Sequence, residues 1–203
     1  LELLGNYRLL RLLSDKAGFR KVYEGYQQDI PKIIKVIKQE LANDSKAVSI
    51  FQQEINILEQ LHYPGIPEAE GYFPYQTRAG LALHCMVIEK IEKIEGPNLE
   101  QWLKQQQNRL ISERQALAWF KQLAEILGLV HNQQYVHRDI KPANIMIRLD
   151  GQLVLIDFGT FREITINYIA NNGGMISISS SSSGYSPIEQ MHGQAITQSD
   201  FLY

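Results

Sequence analysis

Eight consecutive residues, His137-Arg138-Asp139-Ile140-Lys141-Pro142-Ala143-Asn144, constrain this chain more than any other stretch. They carry three separable kinds of chemistry. Asp139 can accept a proton from a hydroxyl, Lys141 can neutralise a transferring phosphoryl group, and Asn144 can offer an amide oxygen to a metal ion. Thirteen residues beyond Asn144 stands Asp157-Phe158-Gly159, behind the apolar run Leu153-Val154-Leu155-Ile156. Residues 144–147 and 153–156 read as the arms of a hairpin turning at Asp150-Gly151. A lone Asp-Phe-Gly triplet arises by chance in many proteins. The two motifs in this order, a hairpin apart, are far more specific.

The arrangement suits one reaction class. Phosphoryl transfer asks little covalent chemistry of a protein; it needs an aligned nucleophile and positive charge at the phosphate oxygens. Asp139 is the group to hold a substrate hydroxyl. Asp157 and Asn144 are the groups to hold magnesium, a hard ion that leans on one or two carboxylates plus phosphate. The plain alternative is a β-hairpin with incidental charges, and three polar groups matching three required roles weigh against it.

The pattern H-R-D-x-K-P-x-N…D-F-G resembles the catalytic core of the eukaryotic-like serine/threonine protein kinases, in a style that looks bacterial, with E-Q-x-x-G at residues 189–193. The resemblance runs from about residue 7 to residue 203. It implies an α+β, protein-kinase-like two-lobed fold with ATP in the cleft. Residues 1–95 form a β-rich N-lobe, a five-stranded sheet plus one helix, and residues 96–203 a mainly helical, incomplete C-lobe with the catalytic loop and activation segment. It further implies ATP and Mg2+, and a protein substrate whose Ser or Thr hydroxyl is phosphorylated, Lys141 favouring these over tyrosine. Asp139, Lys141 and Asn144 take the catalytic roles, and Asn144 and Asp157 the metal.

For ATP, Lys35 in the strand-like segment 31–37 matches the lysine that reaches the α- and β-phosphates. Glu54, mid-helix in segment 43–61 where Val48, Phe51, Ile55 and Leu58 recur at helical spacing, matches its partner. Val22 and Gly18 belong to the phosphate loop and its outgoing strand. The backbone of Glu92 and Ile94 is expected to bind adenine, with Ile91 as gatekeeper. The echo of Ile88-Glu89-Lys90 in Ile91-Glu92-Lys93 leaves that register open by three residues. The phosphate loop departs from the family. Counting back from Val22, its three glycine positions fall on Asp15, Ala17 and Arg20, and only Gly18 is glycine. Glycine lets backbone amides approach phosphate closely. Asp15 brings a negative charge there, which Arg20 partly compensates, and weaker ATP binding is implied.

Segments 7–13, 22–26, 71–75 and 81–91 read as further strands, and 98–107 as a helix capped by Asn98. Ser112-Glu113-Arg114-Gln115 has the form of a capping box. It opens a helix whose Leu117, Phe120, Leu123, Leu127 and Val130 fall on one face. Beyond Gly159 periodicity is lost. Ser177, Ser179 and Ser182, in a serine-rich run, are candidate phosphorylation sites for pairing with Arg138. Residues 184–190 resemble the end of an activation segment, and Thr197-Gln198-Ser199-Asp200 the start of the next helix, whose aspartate braces the catalytic loop. The chain stops at Tyr203, where the family continues for several helices. A partner or a missing segment is therefore expected to cover the Leu117–Val130 face.

With 44% hydrophobic and 21% charged residues, the composition is that of a soluble globular protein, and a net charge of −2 makes no case for nucleic acid or an anionic membrane. The single cysteine, Cys85, excludes an intramolecular disulfide and fits a reducing cytoplasm. No apolar run reaches the roughly 18 residues a spanning helix needs. The rival reading is a pseudokinase or truncated kinase fragment, a nucleotide-binding or scaffolding module. The missing glycines favour it; the survival of Lys35, Glu54, Asp139, Lys141, Asn144 and Asp157 opposes it. A small-molecule phosphotransferase of related fold ranks third, disfavoured by Arg138 and the Lys141-Pro142 pair.

Overall fold

The computed structural model describes residues 3–15, 19–77, 80, 82–89, 97–107, 109–158, 162–163 and 200. The chain separates into two compact units, Leu1–His62 with Pro67–Glu92, and Tyr63–Ile66 with Lys93–Tyr203.

Among its described residues the first unit is an antiparallel sheet with one α-helix. Its strands are β1 (Leu3–Leu4), β2 (Tyr7–Ser14), β3 (Arg20–Gln27), β4 (Ile30–Ile37), β5 (Ala69–Gln76) and β6 (Ala82–Glu89), in the order β1-β2-β3-β4-β6-β5. The two-residue edge strand β1 stands beside the five strands expected from sequence. Gln28 and Asp29, with φ of 47° and 68°, join β3 to β4 in a two-residue hairpin, the turn geometry that matches strand twist. Alternation divides β4 between the two faces of the sheet. Ile34 and Val36 face a core with Leu4, Leu9, Cys85 and Val87, while Lys35 between them points to the other face. Burial pushes the Cys85 thiol up to about 12, so it stays an inert structural side chain.

Helix α1 (Ser45–Gln60) begins where the Asp44 carboxylate accepts the amides of Lys46 and Ala47 at 2.9 Å. It buries Ala47, Phe51, Ile55, Ile57, Leu58 and, unusually for a carboxylate, Glu54.

Among its described residues the second unit holds α2 (Leu99–Gln105), α3 (Glu113–Asn132) and four short strands: β7 (Tyr135–Val136), β8 (Ile145–Ile147), β9 (Leu153–Leu155) and β10 (Arg162–Glu163). β8 pairs with β9 around Asp150-Gly151, as the sequence predicts, and β10 pairs with β7. Asn98 makes a reciprocal capping box with Gln101, whereas at α3 the Ser112 hydroxyl accepts the amide of Gln115. The structure splits the stripe that the sequence marks on α3. Trp119, Ile126, Leu127 and Val130 are buried, but Leu117 and Phe120 are 60% and 63% exposed. The helix is turned so that Trp119 meets the edge of Trp102 on α2 at 5.2 Å. Leu117, two residues earlier, is carried to the opposite side.

Gly65 lies where the chain passes α3 and β9. Its carbonyl accepts the amide of Leu155 at 2.9 Å. A Cβ there would come within 2.5 Å of the Ile126 Cδ1 and 3.2 Å of the Leu153 carbonyl oxygen. Gly65→Ala should therefore lower stability by about 1–3 kcal/mol through overpacking, read as a drop in the urea midpoint at unchanged slope; an unchanged midpoint would show that Ile126 yields freely.

Candidate active site

The half-site of the first unit follows from strand parity. Val22 on β3 stands opposite Lys35 on β4, and Arg20 opposite Ile37. Arg20 and Lys35 are thus diagonal neighbours on one face of the sheet. Both reach Glu54 of α1. Lys35 Nζ donates to Glu54 Oε1 at 2.5 Å and Arg20 Nη1 to Glu54 Oε2 at 2.7 Å. All three are buried, with exposures of 7%, 4% and 1% in the order Lys35, Arg20, Glu54. Burial pushes the Lys35 ammonium down to about 8; Glu54 opposes that fall, and the Arg20 charge adds to it. Because the ordinary value is 10.5, the unfolded chain binds more protons between about 8 and 10.5. The cost of this buried ammonium is present in full below about 8 and is relieved as pH rises through that window.

This arrangement corrects one expectation. Arg20 is engaged by Glu54 inside the unit, so it is not the group that answers Asp15. The Asp15 carboxylate is met instead by Lys38 at 3.3 Å and Lys21 at 3.9 Å. Gly18 and Ala17, Glu92 and Ile94 with Ile91, expected at the adenine, and Ser177, Ser179 and Ser182 lie outside the described residues.

In the second unit, β7 delivers the chain into residues 137–144 and a single 3-10 turn, Pro142–Asn144, carries it out to β8. Asp139 is the hub. Its carboxylate accepts Lys141 Nζ at 2.8 and 3.0 Å and Asn144 Nδ2 at 2.8 Å; Asn144 Nδ2 also reaches the Asp139 carbonyl at 2.9 Å. With both amide hydrogens of Asn144 committed to Asp139, the orientation of the amide is set and Oδ1 is the atom left to an electrophile. Asp157 is held close to Asn144 through the backbone, since the amide of Ile156 donates to the Asn144 carbonyl at 2.9 Å. Among the described residues no three His, Cys, Asp or Glu side chains converge as a metal cage. The side-chain oxygens of Asn144 and Asp157 are of the type that would suit a hard cation taking its remaining ligands from phosphate and water.

The loop backbone is unusual and is braced. Arg138 and Asp157 adopt left-handed φ of 69° and 67°, a conformation that costs side-chain-bearing residues about 1–3 kcal/mol unless the surroundings impose it. Asp200 imposes it at Arg138. Its buried carboxylate accepts the amides of Arg138 and His137, each at 2.8 Å. The aspartate expected from sequence to brace this loop does so. A third donor, which the sequence does not signal, is His131 Nε2 of α3 at 2.8 Å from the same carboxylate. His137 is fully buried, accepts the Asp139 amide on Nδ1 at 3.3 Å, and packs edge-on against Phe158 at 5.2 Å. The Asp-Phe-Gly motif is thereby fastened to the loop through its aromatic residue.

The family model described as "Protein kinase domain" matches residues 16–199. The chain belongs to the protein kinase domain family. Its α+β architecture is that of the kinase fold. Among curated proteins, this kinase domain is 34% identical over 211 residues to serine/threonine-protein kinase PknA of Nostoc sp., covering 98% of the chain and 36% of that protein. It is 31% identical over 216 residues to serine/threonine-protein kinase F of Synechocystis sp., covering 100% of the chain and 42% of that protein. Probable serine/threonine-protein kinase YbdM of Bacillus subtilis is 35% identical over 162 residues, 80% of the chain and 56% of that protein. The chain thus spans roughly a third to a little over half the length of these relatives. Among the described residues no helix is long and apolar enough to cross a membrane.

Proposed function

We propose that this kinase domain transfers the γ-phosphoryl group of ATP to serine or threonine hydroxyls of proteins in the cytoplasm. The observation that carries the reading is the Asp139 carboxylate held by Lys141 and Asn144 on a loop braced by Asp200. In this reading Asp139 accepts the hydroxyl proton as the oxygen attacks, and Lys141 stabilises charge building on the transferring group. Lys35, fixed by Glu54, holds the α- and β-phosphates. Asn144 and Asp157 hold Mg2+, which when bound neutralises phosphate charge. Val22, Gly18 and the backbone of Glu92 and Ile94 complete the residues assigned to ATP binding. Residues 1–95 act as the N-lobe and 96–203 as a C-lobe portion. The H-R-D-x-K-P-x-N…D-F-G motif supports the catalytic residues and Mg2+, and the relatives' names, serine/threonine-protein kinases, support Ser/Thr as acceptors.

The rival, a nucleotide-binding or scaffolding pseudokinase, draws on one observation: Asp15 and Arg20, which counting back from Val22 sets at glycine positions, are each engaged in ion pairs. The two readings part at turnover, since both allow nucleotide binding. The proposed phosphorylation sites Ser177, Ser179 and Ser182 are tested in the same reaction: peptide masses over residues 177–183 gain phosphate under Mg-ATP, or the sites are wrong.

Nucleotide binding carries its own signature. A phosphate-binding ammonium that titrates near 8 loses its attraction above that pH. Calorimetry with Mg-ATP should show affinity steady between pH 6.5 and 7.5 and falling by about tenfold per unit above about 8, while Lys35→Met binds weakly throughout. A flat profile to pH 9.5 would remove Lys35 from the phosphate site.

A further inference from the structure

The Lys35–Glu54 pair is half of a larger cluster. Glu54 offers two carboxylate oxygens, and each is taken by a different cation from a different strand: Lys35 of β4 on Oε1 and Arg20 of β3 on Oε2. Arg20 occupies a position where the family carries a loop glycine, which has no side chain to offer. We infer that Arg20 is a positioning residue that holds Glu54, and with it helix α1, against the sheet at the place where Lys35 is paired, so that the lysine is set in the absence of a glycine-rich loop. The inference rests on the nucleotide-binding role proposed for Lys35.

Three features support it. Arg20 and Lys35 share a sheet face by register, so the shared carboxylate is built into the strand alignment. The guanidinium, nearly as buried as Glu54, is additionally packed over the Phe19 ring at 5.5 Å, which limits its freedom to swing out. Lys35, the only lysine or arginine of β4 on this face of the sheet, is flanked by the fully buried Met86 across the ladder, so the groups facing it from β3, α1 and β6 are Arg20, Glu54 and an apolar side chain. In a two-member pair, removing the lysine leaves a buried carboxylate with its principal cation gone, a strongly destabilising change. Here either cation can be lost while the other still holds Glu54.

The test is a double-mutant cycle on this chain, with thermal midpoint and Mg-ATP affinity as separate readouts. Arg20→Met and Lys35→Met should each lower the midpoint by a few degrees, and the double variant by clearly more than their sum; adding Glu54→Gln should recover most of that excess. Failure of the double variant alone to fold, with both singles and the Glu54→Gln triple folded, is the same result. Additive midpoints overturn the shared clamp. In the binding arm, Arg20→Met should weaken Mg-ATP about tenfold at pH 7 and Arg20→Lys should restore it to within about threefold. Arg20→Met binding as tightly as the parent, while Lys35→Met does not bind, overturns the positioning role and leaves the nucleotide reading standing. A non-additive cycle in a protein that binds no Mg-ATP at all does the reverse: it upholds the clamp and overturns the nucleotide reading on which the setting of Lys35 for ATP depends.

Discussion

Asp139→Asn should lower phosphoryl transfer by about three orders of magnitude, within the range that a positioned general base contributes. The change is nearly isosteric but reverses the chemistry at the hub. An amide has one acceptor atom where the carboxylate has two, and it presents hydrogens toward a site already supplied with donors by Lys141 and Asn144. It cannot take a proton from a hydroxyl. The Asn144 bond to the residue-139 carbonyl survives, so the loop should keep its path and the unfolding midpoint should move by little. Steady-state assay beside calorimetry separates the two effects: transfer is lost and Mg-ATP affinity is retained to within a few fold.

Asp200→Ala should cost both stability and activity. The native carboxylate collects two backbone amides and one imidazole in a buried place. Removing it leaves the His137 and Arg138 amides without that acceptor, at about 1–3 kcal/mol each, so a total loss of roughly 3–5 kcal/mol is expected for a buried charged network. Arg138 would then have no carboxylate holding its left-handed backbone, and Asp139, the next residue, would lose its aim. Transfer should fall by about a hundredfold or more even in the fraction that stays folded. Asp200→Asn, which keeps one acceptor oxygen, should fall between. Urea unfolding and single-turnover rates read the two losses separately; a variant as stable and active as the parent would show that the loop holds itself.

How much of this was legible in advance differs by element. The catalytic loop and hairpin could be read because each role demands one residue type at one spacing, and short-range geometry then follows from chain connectivity. The strands could be read because short runs rich in β-branched residues, such as Ile33-Ile34-Lys35-Val36-Ile37, are set off by turn residues. The face of α3 could not. Leu117, Phe120, Leu123, Leu127 and Val130 make an acceptable helical stripe, but so do Trp119, Leu123, Ile126, Leu127 and Val130, and only the Trp102 contact across from α2 chooses between them. Arg20 was misread for a similar reason. Its position in a loop motif suggests compensation of the Asp15 charge, whereas its parity with Val22, and through Val22 with Lys35, predicts a reach to α1 once the β3–β4 register is known. His131 carried no sequence signal, because its partner Asp200 lies 69 residues away.

The claim that this kinase domain is a phosphotransferase centred on Asp139 is tested most directly by following the γ-phosphate. The chain and its Asp139→Asn variant are incubated with radiolabelled ATP, Mg2+ and dephosphorylated casein, and the label is recovered as phosphoserine and phosphothreonine. The expected result is incorporation that grows with time in the parent and falls to background in the variant, with both proteins binding Mg-ATP. Equal incorporation in the two proteins, or binding without any transfer in the parent, would contradict it.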